Sequence, residues 1–216
     1  MGAHEDQPLL QQGPEFRDAG GLLILLHGRD ATARDIMTLV PQLEHEGLAF
    51  AAPQADGKSW FPYSFLVPVQ QNEPGIPSAM TVIRSLVTEA DLLGVPNGKV
   101  MVLGFDQGAC LALEFAARNP ARYGAIFALS GGLIGPPGTT WESQESLSGT
   151  PVFIGYSDVD PHIHRSRVEE SGEVLTRLGA VVKLKLYSGM GHTISGEELE
   201  HVNSVIADVL AAPATS

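Results

Sequence analysis

The chain has 216 residues, a size suited to one compact domain with a substantial core. Its formal net charge of −12, from 13 Lys and Arg against 25 Asp and Glu, argues against nucleic acid or an anionic membrane surface as partner. The single cysteine, Cys110, excludes an internal disulfide framework and a cysteine-based zinc site, and no apolar run reaches the roughly 18 residues of a membrane helix.

The start of the chain, Met1 to Asp18, is polar and acidic and does not read as a secretory signal. A cytoplasmic protein is the default expectation, with residues 1–18 a flexible segment ahead of a single domain over 19–212. Gly21 to Leu26 (G-L-L-I-L-L) reads as a buried strand ending at His27-Gly28. Thr32 with Asp35 three residues on makes a capping-box start to a helix whose inward face is Ile36, Leu39, Val40 and Leu43. Leu48 to Pro53 is the next strand. Ser59 to Pro77 is rich in aromatic residues and proline and is expected to be a long ordered loop, a kind more often functional than idle.

Met80, Ile83, Val87, Ala90 and Leu93 recur at helical spacing. Lys99 to Leu103 is a strand, and Gly108 to Asn119 a helix apolar almost all round. Strands follow at Ala125 to Leu129, Pro151 to Tyr156 and Val181 to Tyr187, with a G-P-P-G loop over Leu133 to Gly149 and a helix over Val168 to Leu178. The last helix opens with a second capping box, Ser195 and Glu198, and turns Leu199, Val202, Val205, Ile206 and Val209 inward. Ala212 to Ser216 is expected to be loose. Apolar strands alternating with amphipathic helices predict an α/β fold, a mostly parallel central sheet flanked by helices on both faces.

Strand 99–103 runs into G-F-D-Q-G-A (Gly104 to Ala109) and then a helix, the strand–turn–helix setting of a G-x-nucleophile-x-G elbow. A plain βα turn with two glycines is the bland alternative. Three further features end strands elsewhere: His27-Gly28 early in the chain, Asp158-Val159-Asp160-Pro161, and Gly189-Met190-Gly191-His192 after the last strand. The order nucleophile, acid, His is that of α/β-hydrolases, and pieces at the C-terminal ends of parallel strands meet in one crevice.

From about Gly21 onward the chain resembles the phospholipase/carboxylesterase family of α/β-hydrolases, which includes acyl-protein thioesterases. The matching words are L-L-H-G-R (25–29), S-W-F-P (59–62), G-F-D-Q-G-A, L-S-G-G (129–132), D-V-D-P (158–161) and G-M-G-H (189–192). The resemblance implies an α/β-hydrolase fold with no large cap domain and Asp160 orienting His192. It further implies an oxyanion hole from the backbone N–H groups of Arg29 and Gln107. Two positions depart from the family: Asp106 stands where it has Ser, and Asp30 where it usually has Gly. His164 takes a place that is commonly Pro.

An aspartate is already ionised near neutral pH and favours a protonated His192, which in that state is no general base. Negative charge at 106 and 30 also opposes a developing oxyanion. Ordinary serine-esterase chemistry is therefore disfavoured. The expected function is a small-molecule hydrolase with Asp106 as nucleophile toward saturated carbon, as in the epoxide hydrolases and haloalkane dehalogenases of the superfamily, with His192 as base. The open alternatives are an esterase disabled at residue 106, a non-hydrolytic binding or acid/base protein, and a divalent cation on Asp30, Asp106 and His192, for which no ligand-spacing motif exists.

Around this centre, Trp60, Phe61, Tyr63 and Phe65 are expected to wall an apolar pocket for a small apolar or aromatic substrate. Tyr63 or Asp30 would supply an acid. His27 is expected to hold its turn or modulate the site, His162 and His164 to be solvated, and Cys110 to be core. The Arg29 side chain has Asp30, Asp106 or solvent as its expected surroundings. No cofactor is implied, and a homodimer is the first expectation for assembly.

Overall fold

A computed structural model of the chain describes residues 2–43 and 46–213. Seven strands form one sheet among these residues: β1 (Leu9–Gln12), β2 (Gly21–Leu26), β3 (Leu48–Pro53), β4 (Val100–Phe105), β5 (Ala125–Leu129), β6 (Pro151–Ser157) and β7 (Val181–Tyr187). Their spatial order is β1-β3-β2-β4-β5-β6-β7, and every pairing is parallel except the antiparallel β1–β3 edge.

The strands are apolar in succession because both sheet faces are covered. In β2, Leu22, Ile24 and Leu26 join one core, and Leu23 and Leu25 the other. Helices α2 (Gly75–Leu92), α3 (Gln107–Arg118) and α4 (Arg165–Arg177) bury Ile83, Phe115 and Leu175 in the first. Helices α1 (Ala33–Met37) and α5 (Gly196–Ala211) bury Ile36, Val202 and Ile206 in the second. Each fully buried aliphatic side chain of this kind contributes roughly 1.5–3 kcal/mol. Both expected capping boxes are made, Thr32 with Asp35 and Ser195 with Glu198.

Three expectations need correction. The N-terminal segment is not loose where it is described: Leu9–Gln12 pairs with Phe50–Pro53, and His4 is buried. The His4 ring meets the Trp60 carbonyl at 2.9 Å and the Asp56 N–H at 3.0 Å. The first helix stops at Met37 and continues as a 3-10 turn over Val40–Gln42, since Pro41 has no N–H to extend an α-helix. The expected loop over 59–77 ends early, because α2 begins at Gly75. Residues 214–216, part of the tail expected to be loose, lie outside the described residues. No helix among the described residues is long and apolar enough to cross a membrane.

The sheet order fixes where chemistry can occur. From β2 the chain moves outward to β3, then returns to place β4 on the other side of β2. The turns after β2 and β4 therefore face each other across a topological switch point, where α/β sheets open a crevice.

Candidate active site

Asp106 sits between β4 and α3 at φ 54°, ψ −117°, a backbone conformation rare for a residue with a side chain. The turn around it is tight. A Cβ on Gly104 would lie 2.1 Å from the Gly108 carbonyl oxygen, and one on Gly108 would lie 2.1 Å from the Leu26 carbonyl oxygen. Both glycines are thus required by backbone contact, and Asp106 is pushed out above the sheet at the N-terminus of α3.

The two carboxylate oxygens of Asp106 have different neighbours. Oδ2 accepts the Arg29 backbone N–H at 2.9 Å, and the Gln107 backbone N–H also bonds the carboxylate. Oδ1 lies 3.3 Å from His192 Nε2. The side chain thus occupies the N–H cradle between the two turns with one oxygen and addresses the imidazole with the other.

His192 lies on the loop between β7 and α5, and its Nδ1 meets Asp160 Oδ2 at 2.7 Å. Asp160, on the loop after β6, has a fully buried side chain. Its Oδ1 accepts the backbone N–H groups of His162 at 2.8 Å and Ile163 at 3.3 Å. Asp158 instead accepts the Gly189 N–H at 2.8 Å, tying the acid loop to the histidine loop.

The charges follow. The hydrogen bond that His192 donates to Asp106, resisted by burial and joined by the one to Asp160, pushes His192 up to about 9. Burial works against the charge of Asp106, yet the hydrogen bonds from His192, Arg29 and Gln107 prevail and hold its carboxyl below the usual range. Asp160 is held low in the same way, against burial, by His192 and by the His162 and Ile163 amides. At neutral pH the centre is carboxylate, imidazolium, carboxylate.

Above it lies a cleft of about 450 Å3 lined by Phe61, Tyr63, Phe65 and Phe105 with Asp30, Asp106, His162 and His192. Such a volume holds a small molecule. Asp30 is exposed at φ 62°, the left-handed region, which explains why a glycine suits this position and why Asp is among the few replacements that fit.

Several sequence-based expectations change here. Trp60 and His27 are fully buried and line no part of the cleft. The Trp60 indole N–H donates to the His27 carbonyl at 2.9 Å, and His27 Nε2 accepts the Ala55 N–H at 3.0 Å, so both hold the turn rather than the substrate. The Arg29 guanidinium pairs with neither Asp30 nor Asp106. It donates to the carbonyls of Phe61 (2.9 Å), Pro62 (3.1 Å) and Tyr63 (2.9 Å) and to Ser59 Oγ (3.2 Å).

The Gln107 side chain braces the same segment, accepting from the Trp60 N–H at 2.8 Å and donating to the Phe61 carbonyl at 2.7 Å. His162 is exposed, as expected, and its ring also borders the cleft, with its centroid 5.1 Å from that of His192. Its place two residues beyond Asp160 was the available signal. Phe105, one residue before Asp106 within the elbow, packs 4.9 Å from His192 and was missed because the G-x-nucleophile-x-G pattern leaves its position unspecified. Cys110 is buried as expected, and burial raises its thiol to about 12. Among the described residues no group of three or more His, Cys, Asp or Glu is arranged to hold a metal ion.

A mostly parallel sheet with an acidic residue on a sharp strand–helix turn, facing an Asp–His pair from the loops after β6 and β7, defines an α/β-hydrolase. The sequence pattern of the phospholipase/carboxylesterase family matches residues 16–210, and the chain belongs to that family. Acyl-protein thioesterase 1 of Debaryomyces hansenii is 30% identical over 155 residues, 70% of this chain and 67% of that protein. Acyl-protein thioesterase 1 of Eremothecium gossypii is 29% identical over 58% of this chain and 54% of its own length, so the match spans little more than half of that relative.

The solved phospholipase/carboxylesterase of Dyadobacter fermentans is 40% identical, with a TM-score of 0.90 over 96% of this chain and 99% of its own. A Bacillus cereus carboxylesterase, at 15% identity, shares the fold with a TM-score of 0.74 over 95% of each chain.

Proposed function

We propose that this member of the family hydrolyses small apolar or aromatic electrophiles at saturated carbon, epoxides or alkyl halides, through an ester on Asp106. The observation that carries the proposal is the division of labour between the two Asp106 oxygens. Oδ1 faces the cleft and His192, so it is the oxygen that attacks. Oδ2 already rests on the Arg29 N–H, so it becomes the carbonyl oxygen of the resulting ester.

Hydrolysis then needs water to attack Cγ of residue 106. Alkylation removes the negative charge that held the proton on His192, and the neutral imidazole, oriented by Asp160, serves as general base. The oxyanion that forms is Oδ2 itself, with the donors of Arg29 and Gln107 waiting around it. The N–H cradle thus serves the second step rather than the first.

An esterase silenced at its nucleophile is the second reading, and one observation favours it. The strained elbow, the His192–Asp160 pair and the Arg29 amide are all that a serine at 106 would need. The experiment is hydrolysis of short aryl esters, aryl epoxides and alkyl bromides by this protein and its Asp106→Ser variant, with mass spectrometry of a His192→Gln variant for a trapped ester on Asp106. Epoxide or bromide turnover by the unaltered protein, lost in Asp106→Ser, supports the proposal. Ester hydrolysis by Asp106→Ser alone overturns it in favour of the second reading.

A further inference from the structure

Asp30 carries a side chain where the backbone would be easier for glycine. Its φ of 62° lies in the left-handed region, and a residue held there usually gains something from its side chain. Inside the protein Asp30 gains nothing. Its backbone N–H donates to the Lys58 carbonyl at 2.9 Å, yet among the described residues its carboxylate has no hydrogen bond and no ion pair. Asp30 is exposed, and it lines the cleft directly after Arg29, whose N–H holds Asp106 Oδ2.

The charges around that cleft do not balance. His192 stands between Asp106 and Asp160, one imidazolium for two carboxylates. Asp30 adds a third carboxylate. Arg29 is the only Lys or Arg among the described residues lining the cleft, and its guanidinium is engaged by four oxygens of residues 59–63. Even with Arg29 counted in full, three carboxylates face two cations, within a chain of net charge −12.

Aromatic walls complete the picture. Tyr63 and Phe65 line the same cleft, Tyr63 with its ring 58% exposed at the rim. Ring faces attract a cation, and an unpaired anion at the mouth favours it over a neutral body of the same shape. Resting on the reading of Asp106 as nucleophile, the geometry points to Asp30 as the residue that selects electrophiles carrying a cationic nitrogen. The charge sits against the Asp30 carboxylate, and the methyl or methylene groups around it sit against the Tyr63 and Phe65 rings. The substrate class narrows to aminoalkyl halides and aminoalkyl epoxides. A glycine at residue 30 would leave the same cleft without that preference.

Isosteric pairs separate charge from shape. Choline and 3,3-dimethylbutan-1-ol differ only in nitrogen for carbon, as do (2-bromoethyl)trimethylammonium and 1-bromo-3,3-dimethylbutane. Binding of the two alcohols, followed through the His192 ring resonances, needs no chemistry at Asp106. Choline is expected to bind roughly tenfold more tightly, and Asp30→Asn to shrink that ratio to about twofold. Asparagine tolerates the left-handed backbone, so the turn is kept. Asp91→Asn removes the same charge from an exposed site at the far end of α2 and is expected to leave the ratio as it was.

A ratio near one in the unaltered protein, a ratio that Asp30→Asn leaves unchanged, or an equal fall in Asp91→Asn overturns the assignment. So does the absence of binding by either alcohol up to about 50 mM. The bromides then tell the two readings apart. Turnover of both, with an advantage for the cationic one that falls in Asp30→Asn, supports both readings. Turnover of both with a ratio that Asp30→Asn leaves unchanged keeps Asp106 and overturns Asp30. Preferred binding of choline with neither bromide consumed keeps Asp30 as the cation selector and sinks Asp106 as nucleophile.

Discussion

The Arg29 backbone N–H donates to Oδ2 of Asp106 at 2.9 Å, so the cradle that an acyl-transfer enzyme leaves open for its oxyanion is filled by the protein's own side chain. The position is one that a carboxylate satisfies at rest and a serine hydroxyl does not. Charge at residue 106 therefore contributes most, with Asp160 second, to keeping His192 protonated.

The first consequence is a shift in titration. His192 is pushed up to about 9 chiefly by Asp106, so Asp106→Asn lowers it toward the ordinary imidazole range, with Asp160 still holding part of the rise. A group raised in the folded state stabilises fully below its unfolded value, near 6.5, and that contribution is lost as pH climbs through about 9. The depressed carboxyls of Asp106 and Asp160 act at the other end, losing their contribution as pH falls through the carboxylate range. Denaturant melts at pH 5.5, 7 and 9.5 with imidazole NMR check this. A His192 that still titrates near 9 in Asp106→Asn contradicts it.

Arg29→Lys tests the aromatic wall. One guanidinium bonds four oxygens of residues 59–63, and an ammonium cannot reproduce that fork. Because Arg29 is exposed, the expected cost is only about 1 kcal/mol, or roughly 2–4 °C in Tm. The cleft wall loosens more than the fold does, so KM rises several-fold while kcat holds, because the Arg29 backbone amide is unchanged. A fall confined to kcat counts against this account.

Glu114 anchors the loop over residues 133–149 from inside α3. Its fully buried carboxylate accepts the Ile134 N–H at 2.9 Å and the Trp141 indole N–H at 3.1 Å and pairs with Arg118. Glu114→Ala orphans two buried donors at about 1–3 kcal/mol each. Both donors bond one oxygen, Oε2, so Glu114→Gln with its carbonyl oxygen in that place keeps both, loses only the Arg118 pair and is expected to lose well under half as much. Urea unfolding of the two variants, monitored by Trp141 fluorescence, measures the difference, and equal losses refute the assignment.

The beginning of the chain is also expected to matter. Deleting residues 2–12 removes the strand that covers the β3 edge and the His4 ring that bonds the Trp60 carbonyl. An uncovered edge strand invites pairing between copies. Light scattering and thermal melting should show association and a lower Tm. His4→Ala alone should lower Tm without association, since β1 remains.

What the sequence disclosed follows the range of the interactions involved. The capping boxes at Thr32 and Ser195 were legible because both partners lie within three residues. The elbow was legible because Gly104 packs on the backbone of Gly108 four residues on, although Gly108 itself answers the distant Leu26 carbonyl. Strand β1 was not: in L-L-Q-Q only Leu10 is even half-buried, and the pairing that creates the strand comes from residues about forty positions later. The face of the first helix was correct although its backbone was not. Periodicity reports which side chains point inward, not whether each N–H finds a partner, and Pro41 has none to offer.

The site shows the same division. Asp106, Asp160 and His192 come together because each ends a strand of one sheet. The roles of Trp60, Arg29 and His162 depend on loop paths set by hydrogen bonds to distant carbonyls and carboxylates, and no local pattern encodes those.

The occupied cradle also governs which reagents can find this protein. Fluorophosphonates and carbamates label serine hydrolases by placing a phosphoryl or carbamoyl oxygen among those amides while a hydroxyl attacks. Here a carboxylate holds the amides, and a phosphonate would meet its negative charge. A survey of hydrolases by such labels would pass over this protein, while an epoxide- or bromoalkyl-bearing label would register it if Asp106 is the nucleophile proposed above.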